Sequence, residues 1–207
     1  MDFELNQEQK MWQRIVREFC ESEVKPHAAE VDETGKLHWD AIRKMKDIGL
    51  NSLEVPEALG GTEVDTISIA IAMEELGRAC GSTALSLAAH NGLGCAPIKR
   101  WGTPAQHEQW FPTLISGEVL GALALTEPNA GSDLLNGVQT FARREGDEWV
   151  IDGSKAWITN AGIAPVITVL CRTDKDAGAR GFSMLLVDTK SPGLTIHPPE
   201  KKMGLKG

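Results

Sequence analysis

Apolar residues recur with a helical period through the first half of the chain and with a strand period through the second. Asn6 and Gln9 form a capping-box pair. After them Met11, Trp12, Ile15, Val16 and Phe19 fall at spacings of three and four, predicting an amphipathic helix that buries this face. A second helix is predicted over Asp40 to Ile48, stopped by Gly49. Asp65 is placed to cap a third, which includes IAIAMEEL; its apolar residues surround most of the circumference, so it should lie between neighbours. A fourth runs from Thr83 to Arg100. Thr103, Pro104 and Gln106 open a fifth, with cap, first-turn proline and capping-box glutamine in their preferred places. Five helices with short connections make an all-α unit, orthogonal or bundled.

Near Gly117 the period changes. GALAL (121–125) is a short apolar run, VQTFARREGDEWVIDG (138–153) alternates on either side of a Gly-Asp turn, and VITVLC (166–171) and GFSMLLVD (181–188) are largely apolar. Strands separated by turns, with no helix pattern between them, predict an antiparallel sheet or small barrel. The fold class is therefore α+β multidomain: an N-terminal all-α helical domain over residues 1–120, then an antiparallel β-domain over 121–207. KDAGAR (175–180) reads as an exposed loop, and no internal repeat is visible.

Composition bounds the chemistry. The 207 residues, 42% hydrophobic and 24% charged, suit a soluble globular protein with a sizeable core. A net charge of −8 argues against a general nucleic-acid surface and leaves room for a local phosphate site. Cys20, Cys80, Cys95 and Cys171 are scattered, with no CxxC pair and no metal-ligand spacing, so buried free thiols and no metal site are expected. No window reaches the roughly 18 apolar residues a bilayer requires, and the N-terminus lacks a signal-peptide pattern, so a cytoplasmic location is the expectation; a processed mitochondrial-matrix protein would look the same.

Two segments stand out chemically. LTEPNAGSD (125–133) ends a strand with a run that can offer backbone N–H groups and the hydroxyls of Thr126 and Ser132 to an electron-rich ligand. The alternative is a wide surface turn in which Ser132 and Asp133 bond locally. KAWITN (155–160) reads as a strand end whose Trp157 either packs in the core or lies against another flat ring. His90, on a helix expected to be buried, reads as a satisfied core histidine. Glu74 and Glu75 are adjacent, point around the helix in different directions and cannot act as a paired acid and base. Lys201 and Lys202 read as a solvated strand end.

The motifs VPEALGG (55–61), ISGEVLGALALTEPNAGSD (115–133), EGDEWVIDGSKAWITN (145–160) and PGLTIHPPEKKMGLKG (192–207), in this order and at these separations, closely resemble the acyl-CoA dehydrogenase family of flavoenzymes. Asn129 departs from the glycine the family often has there, and asparagine tolerates the same left-handed backbone. The resemblance implies an N-terminal helical domain, a middle β-domain and a C-terminal four-helix bundle, so the chain reads as a fragment that stops inside the middle domain. It also implies FAD as cofactor. Leu123, Ala124, Leu125, Thr126, Glu127, Pro128, Asn129, Ala130, Gly131 and Ser132 would line the flavin, with Thr126 bonding its ring. Trp157, Ile158 and Thr159 would cover the other side, Thr159 near N5. Ser132 and Thr173 would touch the substrate's CoA arm.

The implied reaction is α,β-desaturation of an acyl-CoA thioester in fatty-acid β-oxidation, with electrons passed to an electron-transferring flavoprotein by a homo-oligomer, a tetramer in the intact family. No catalytic residue is assigned, because the family's base lies in its C-terminal domain, and Glu127 is expected to shape its turn. The isolated chain is accordingly expected to bind FAD weakly and to be inactive. A non-catalytic folding or interaction module, or a flavin oxidase or monooxygenase on the same scaffold, are the alternatives.

Overall fold

In the computed structural model, which describes residues 4–207, the chain enters its first helix where the capping box places it. Asn6 Oδ1 accepts from the Gln9 N–H at 2.8 Å and Gln9 Oε1 accepts from the Asn6 N–H at 3.2 Å, opening α1 (Gln7–Phe19). Only part of the expected apolar face is covered. Val16 is buried, but Met11 and Ile15 are 52% and 39% exposed, because α1 packs chiefly on one later helix and presents a narrow stripe to it. A π turn (Cys20–Val24) and a 3-10 turn (Lys25–His27) then lead into α2 (Ala28–Thr34), which closes at Gly35 with a φ of 67°. This segment escaped the periodicity reading because Pro26 and the mixed charges around it interrupt any regular stripe.

The second expected helix is α3 (Trp39–Lys44) with a 3-10 extension (Met45–Ile48), stopped by Gly49 at a φ of 76°. Gly49 is required twice over: a Cβ there would also collide with the Thr62 side chain at 2.3 Å. The helix α4 (Thr66–Ala79) is capped by Asp65, which accepts from the Ile67 and Ser68 N–H groups, and it packs against α1. Trp12 Nε1 donates to Ser68 O at 2.9 Å across that contact. Glu75 is buried beside it, its carboxylate bound by Arg17 (2.5 and 3.0 Å) and Arg78 (3.1 Å). The Arg17 hydrogen bond is the main cause of its lowered pKa. Glu74 is exposed.

The fourth expected helix is three pieces: α5 (Gly81–Ala88), a π turn (Ala89–Cys95) and α6 (Ala96–Trp101). The π turn holds buried His90 and Asn91, which bond to the chain around residues 50–53. His90 Nε2 meets Asn51 O at 2.8 Å, and the Asn91 amide serves Leu50 O and Leu53 N, both at 2.9 Å. His90 is thus a satisfied core histidine. Thr103 and Gln106 close their capping box on α7 (Pro104–Leu114). Ile42, Leu50, Leu76, Leu87, Ile98 and Phe111 are among the fully buried side chains of this helical unit, which reaches Leu120 and also takes in Lys201–Gly207. Lys201 and Lys202 lie on no strand; the Lys202 ammonium bonds Leu205 O, and Lys206 Nζ donates to Asp32 O at 3.0 Å.

The second unit, Gly121–Glu200, is built on β1 (Ala122–Ala124), α8 (Leu134–Gly137), β2 (Phe141–Glu145), β3 (Glu148–Asp152), β4 (Val166–Arg172) and β5 (Phe182–Asp188). Its sheet is mixed, which corrects the antiparallel expectation. The β2–β3 hairpin turns at Gly146 and β4 pairs antiparallel with β5, but β1 runs parallel to β4 (Ala122 opposite Ile167), and β2 meets β4 in parallel at Arg172. The connection from Ala124 to Val166 far exceeds the dozen or so residues a parallel crossover requires, and it carries the hairpin and α8 within it. Two further expectations fail here. A helix, α8, does intervene, started by Asp133 accepting from the Asn136 N–H, and KAWITN is an irregular segment beyond the end of β3.

All four cysteines are buried free thiols. No helix among the described residues is long and apolar enough to cross a membrane.

Candidate functional site

The loop after β1 and the segment after β3 are tied into one structure within the sheet unit. Pro128 and Asn129 form the tip of a tight turn closed by two hydrogen bonds, Glu127 N–H to Ala130 O at 3.0 Å and Ala130 N–H to Glu127 O at 3.1 Å. Below the tip the Glu127 side chain turns inward. Its carboxylate accepts from the Gln139 N–H (2.7 Å), the Thr140 N–H (3.0 Å) and Lys155 Nζ (2.9 Å). Lys155 also donates to Leu125 O at 3.0 Å, and the Ala156 N–H donates to Thr126 O at 2.9 Å. The two segments are therefore clamped side by side by a buried ion pair and a backbone bond.

Burial alone would raise the Glu127 pKa. The donors from Thr140, Lys155 and Gln139 outweigh it and hold the carboxyl at about 2. A carboxylate this acidic and this fully engaged is a structural anion, since proton abstraction needs a pKa near the working pH. Lys155 escaped the sequence reading. Nothing in local spacing pairs a lysine with a glutamate 28 residues away.

The clamp sorts the expected site residues. Ala124 and Ala130 are buried, and Ile158 packs on the small cluster of Ala122, Ala124, Ala164 and Ile167. Leu123, Leu125 and Thr126 are half-buried, and Pro128, Asn129, Gly131 and Ser132 are exposed. Gly137 lets α8 approach the loop: a Cβ there would sit 2.7 Å from the Ala130 Cβ. Asp133 bonds locally as a helix cap, whereas a Cβ on Gly131 would meet nothing within 4 Å, so the backbone there faces open space.

Trp157 is the most unusual residue of the group. It is 68% exposed, and its backbone lies in the left-handed region at a φ of 63°, which a bulky residue rarely adopts. Such strain persists only where surrounding structure imposes it, and here the Lys155 clamp lies on one side and Ile158 on the other. Asn160, also left-handed at 66°, anchors the far end by donating to Gly121 O at 3.2 Å. Thr159 is half-buried between them. Thr173 follows β4, where its hydroxyl meets Ser183 Oγ at 2.8 Å and the Gly181 carbonyl at 3.3 Å. The neighbouring Arg172 reaches back to Leu135 O at 2.8 Å, which brings the end of β4 beside α8.

The architecture is thus a helical unit followed by a mixed-sheet unit with two clamped loops. Family models match it as an acyl-CoA dehydrogenase N-terminal domain over residues 6–118 and an acyl-CoA dehydrogenase middle domain over residues 122–207. The chain belongs to the acyl-CoA dehydrogenase family. It is 47% identical over 208 residues to a Bacillus subtilis protein described as "Probable acyl-CoA dehydrogenase YngJ", covering 100% of this chain and 54% of that protein. The short-chain specific acyl-CoA dehydrogenase of Clostridium acetobutylicum is 40% identical over 206 residues, with the same coverage of 100% and 54%. Among solved structures, butyryl-CoA dehydrogenase from Megasphaera elsdenii superposes with a TM-score of 0.90 at 34% identity, over 100% of this chain and 55% of that one. An acyl-CoA dehydrogenase complexed with FAD from Bacillus anthracis gives 0.87 at 34% identity, over 98% and 34%. The chain spans about half the length of the curated relatives it matches.

Proposed function

We propose that this chain provides the flavin-facing and CoA-facing loops of an FAD-dependent acyl-CoA dehydrogenase that desaturates acyl-CoA thioesters at the α,β bond and delivers electrons to an electron-transferring flavoprotein. The observation that carries the reading is Trp157, a flat ring held out in a strained conformation alongside the Leu125–Ala130 turn. The residues present fit a planar, hydrogen-bonding cofactor: an exposed aromatic face, a half-buried hydroxyl at Thr126, and open backbone at Gly131.

In this reading Trp157 stacks on one part of the ring system and Thr126 and Thr159 present hydroxyls to its polar edge. The Gly131–Ser132 backbone meets its phosphate-bearing arm. When bound, FAD supplies the acceptor for the hydride that leaves the substrate's β-carbon. Lys155 and Glu127 act by positioning: their ion pair fixes the separation of the two loops before any ligand arrives, so less ordering entropy is lost on binding. Ser132 and Thr173 stand as the CoA contacts. No general base is assigned among these residues.

Titrating FAD with the 207-residue chain while following flavin fluorescence tests the reading. Weak saturable quenching is expected, reduced about tenfold by Trp157→Ala, with no bleaching of the flavin by acyl-CoA. A folded chain that leaves FAD fluorescence unchanged, or quenching indifferent to Trp157→Ala, sinks it.

A further inference from the structure

The helical unit holds a cluster of side chains of metal-ligating type, remote in sequence from every motif above. His27 ends the 3-10 turn at the residue before α2, Glu30 lies one helical turn further on, and His38 is the residue before α3. Gly35, left-handed at a φ of 67°, reverses the chain between the two helices and returns His38 to His27. The imidazoles stack with centroids 3.6 Å apart and planes 8° from parallel, and Glu30 Oε2 lies 3.9 Å from His27 Nδ1. One ligand atom from each residue lies within 4.8 Å of the others.

We infer that His27, Glu30 and His38 form a binding site for a divalent transition-metal ion, with zinc the best match. Two imidazole nitrogens and one carboxylate oxygen are the donors that zinc favours, and three protein ligands leave a position for water. At metal–nitrogen distances of about 2.1 Å, two nitrogens on one tetrahedral ion sit roughly 3.4 Å apart. The observed spacing therefore closes with side-chain rotation alone. The backbone already sets the three Cα positions through two helix starts and one glycine turn. Glu30, at 70% side-chain exposure, is free to swing toward the histidines. Binding requires the two rings to splay, because parallel stacked rings cannot aim their lone pairs at one point. Glu30, Asp32 and Glu33 against Lys36, with Lys206 paired to Asp32, leave the segment a small acidic balance that favours a cation. The bound ion would staple α2 to α3 and is independent of the flavin reading.

The test is isothermal titration of Zn²⁺ into the untagged 207-residue chain, with histidine ring resonances followed by NMR. One ion per chain is expected, with shifts confined to the His27 and His38 rings. Glu30→Gln should weaken binding about tenfold and the double variant His27→Gln/His38→Gln more than a hundredfold, while His197→Gln, an exposed control, changes nothing. Wild-type chain giving no saturable heat, a double variant that binds as wild type, an unaffected Glu30→Gln, or loss of binding in His197→Gln each overturns the proposal. Glu30→Gln lies on the surface and keeps the test valid if the double variant fails to fold.

Discussion

Each unit buries a polar cluster that joins distant segments, and the π turn of the helical unit and the loop clamp of the sheet unit satisfy theirs by different means. In the helical unit the cluster at the π turn is neutral: His90 and Asn91 bond backbone around residues 50–53, Asn51 donates to Ile42 O, and burial lowers the His90 pKa to about 4, while that unit's buried charge, Glu75, is held separately by Arg17 and Arg78. In the sheet unit it is charged: Glu127 and Lys155 join segments far apart in the chain, with the carboxyl held at about 2. Removing one member of a neutral cluster strands a buried polar group at a cost of about 1–3 kcal/mol, whereas breaking a buried ion pair costs more, because the surviving charge is left uncompensated.

The largest expected effect follows directly. Lys155→Met should destabilise the sheet unit by about 3–5 kcal/mol by stranding Glu127, and adding Glu127→Gln should restore part of the loss. Denaturant unfolding followed by tryptophan fluorescence measures both. Equal stability of the single and double variants would show that the clamp is not electrostatic.

Acid separates the units next. The folded pKa of His90 lies below its ordinary 6.5, so the unfolded chain takes up the proton more readily. The stability His90 confers is complete above pH 6.5 and is lost as pH falls toward about 4, a total of about 3 kcal/mol. Glu127, depressed from 4.5 to about 2, contributes stability present above pH 4.5 and lost below it, of similar size. The helical unit should thus weaken first on acidification. Amide hydrogen exchange at pH 5 should show α5 and α6 opening before β4, and the reverse order would break the comparison.

The smallest effect concerns local signals. Thr103→Ala removes a cap that bonds only within its own helix and should cost about 1 kcal/mol by thermal melting, with nothing transmitted to the sheet unit.

These magnitudes run parallel to what could be read in advance. The capping bonds of Asn6 with Gln9, of Asp65, and of Thr103 with Gln106 reach backbone no more than three residues away, so their helix starts are written locally. The strand segments were legible for the same reason, since alternation is a property of neighbours. The exposed side of α1 was not, because Met11 and Ile15 carry the same period as Val16 and only the position of α4 decides which is covered. The motif loops announced a candidate site, and His27, Glu30 and His38 went unnoticed because a glycine turn, invisible to ligand-spacing rules, brings them together.

By itself, then, the sequence determined most of the helical and strand segments, their caps, and the family whose motifs they carry, because propensity, capping and motif order all act over a few residues. Tertiary structure alone decided that β1 and β4 run parallel, that Lys155 neutralises Glu127, and that Trp157 stands outward in a left-handed backbone while Ile158 turns into the core. Each of those outcomes depends on contacts between segments distant in the chain, whose free energy exists only once the intervening loops have closed.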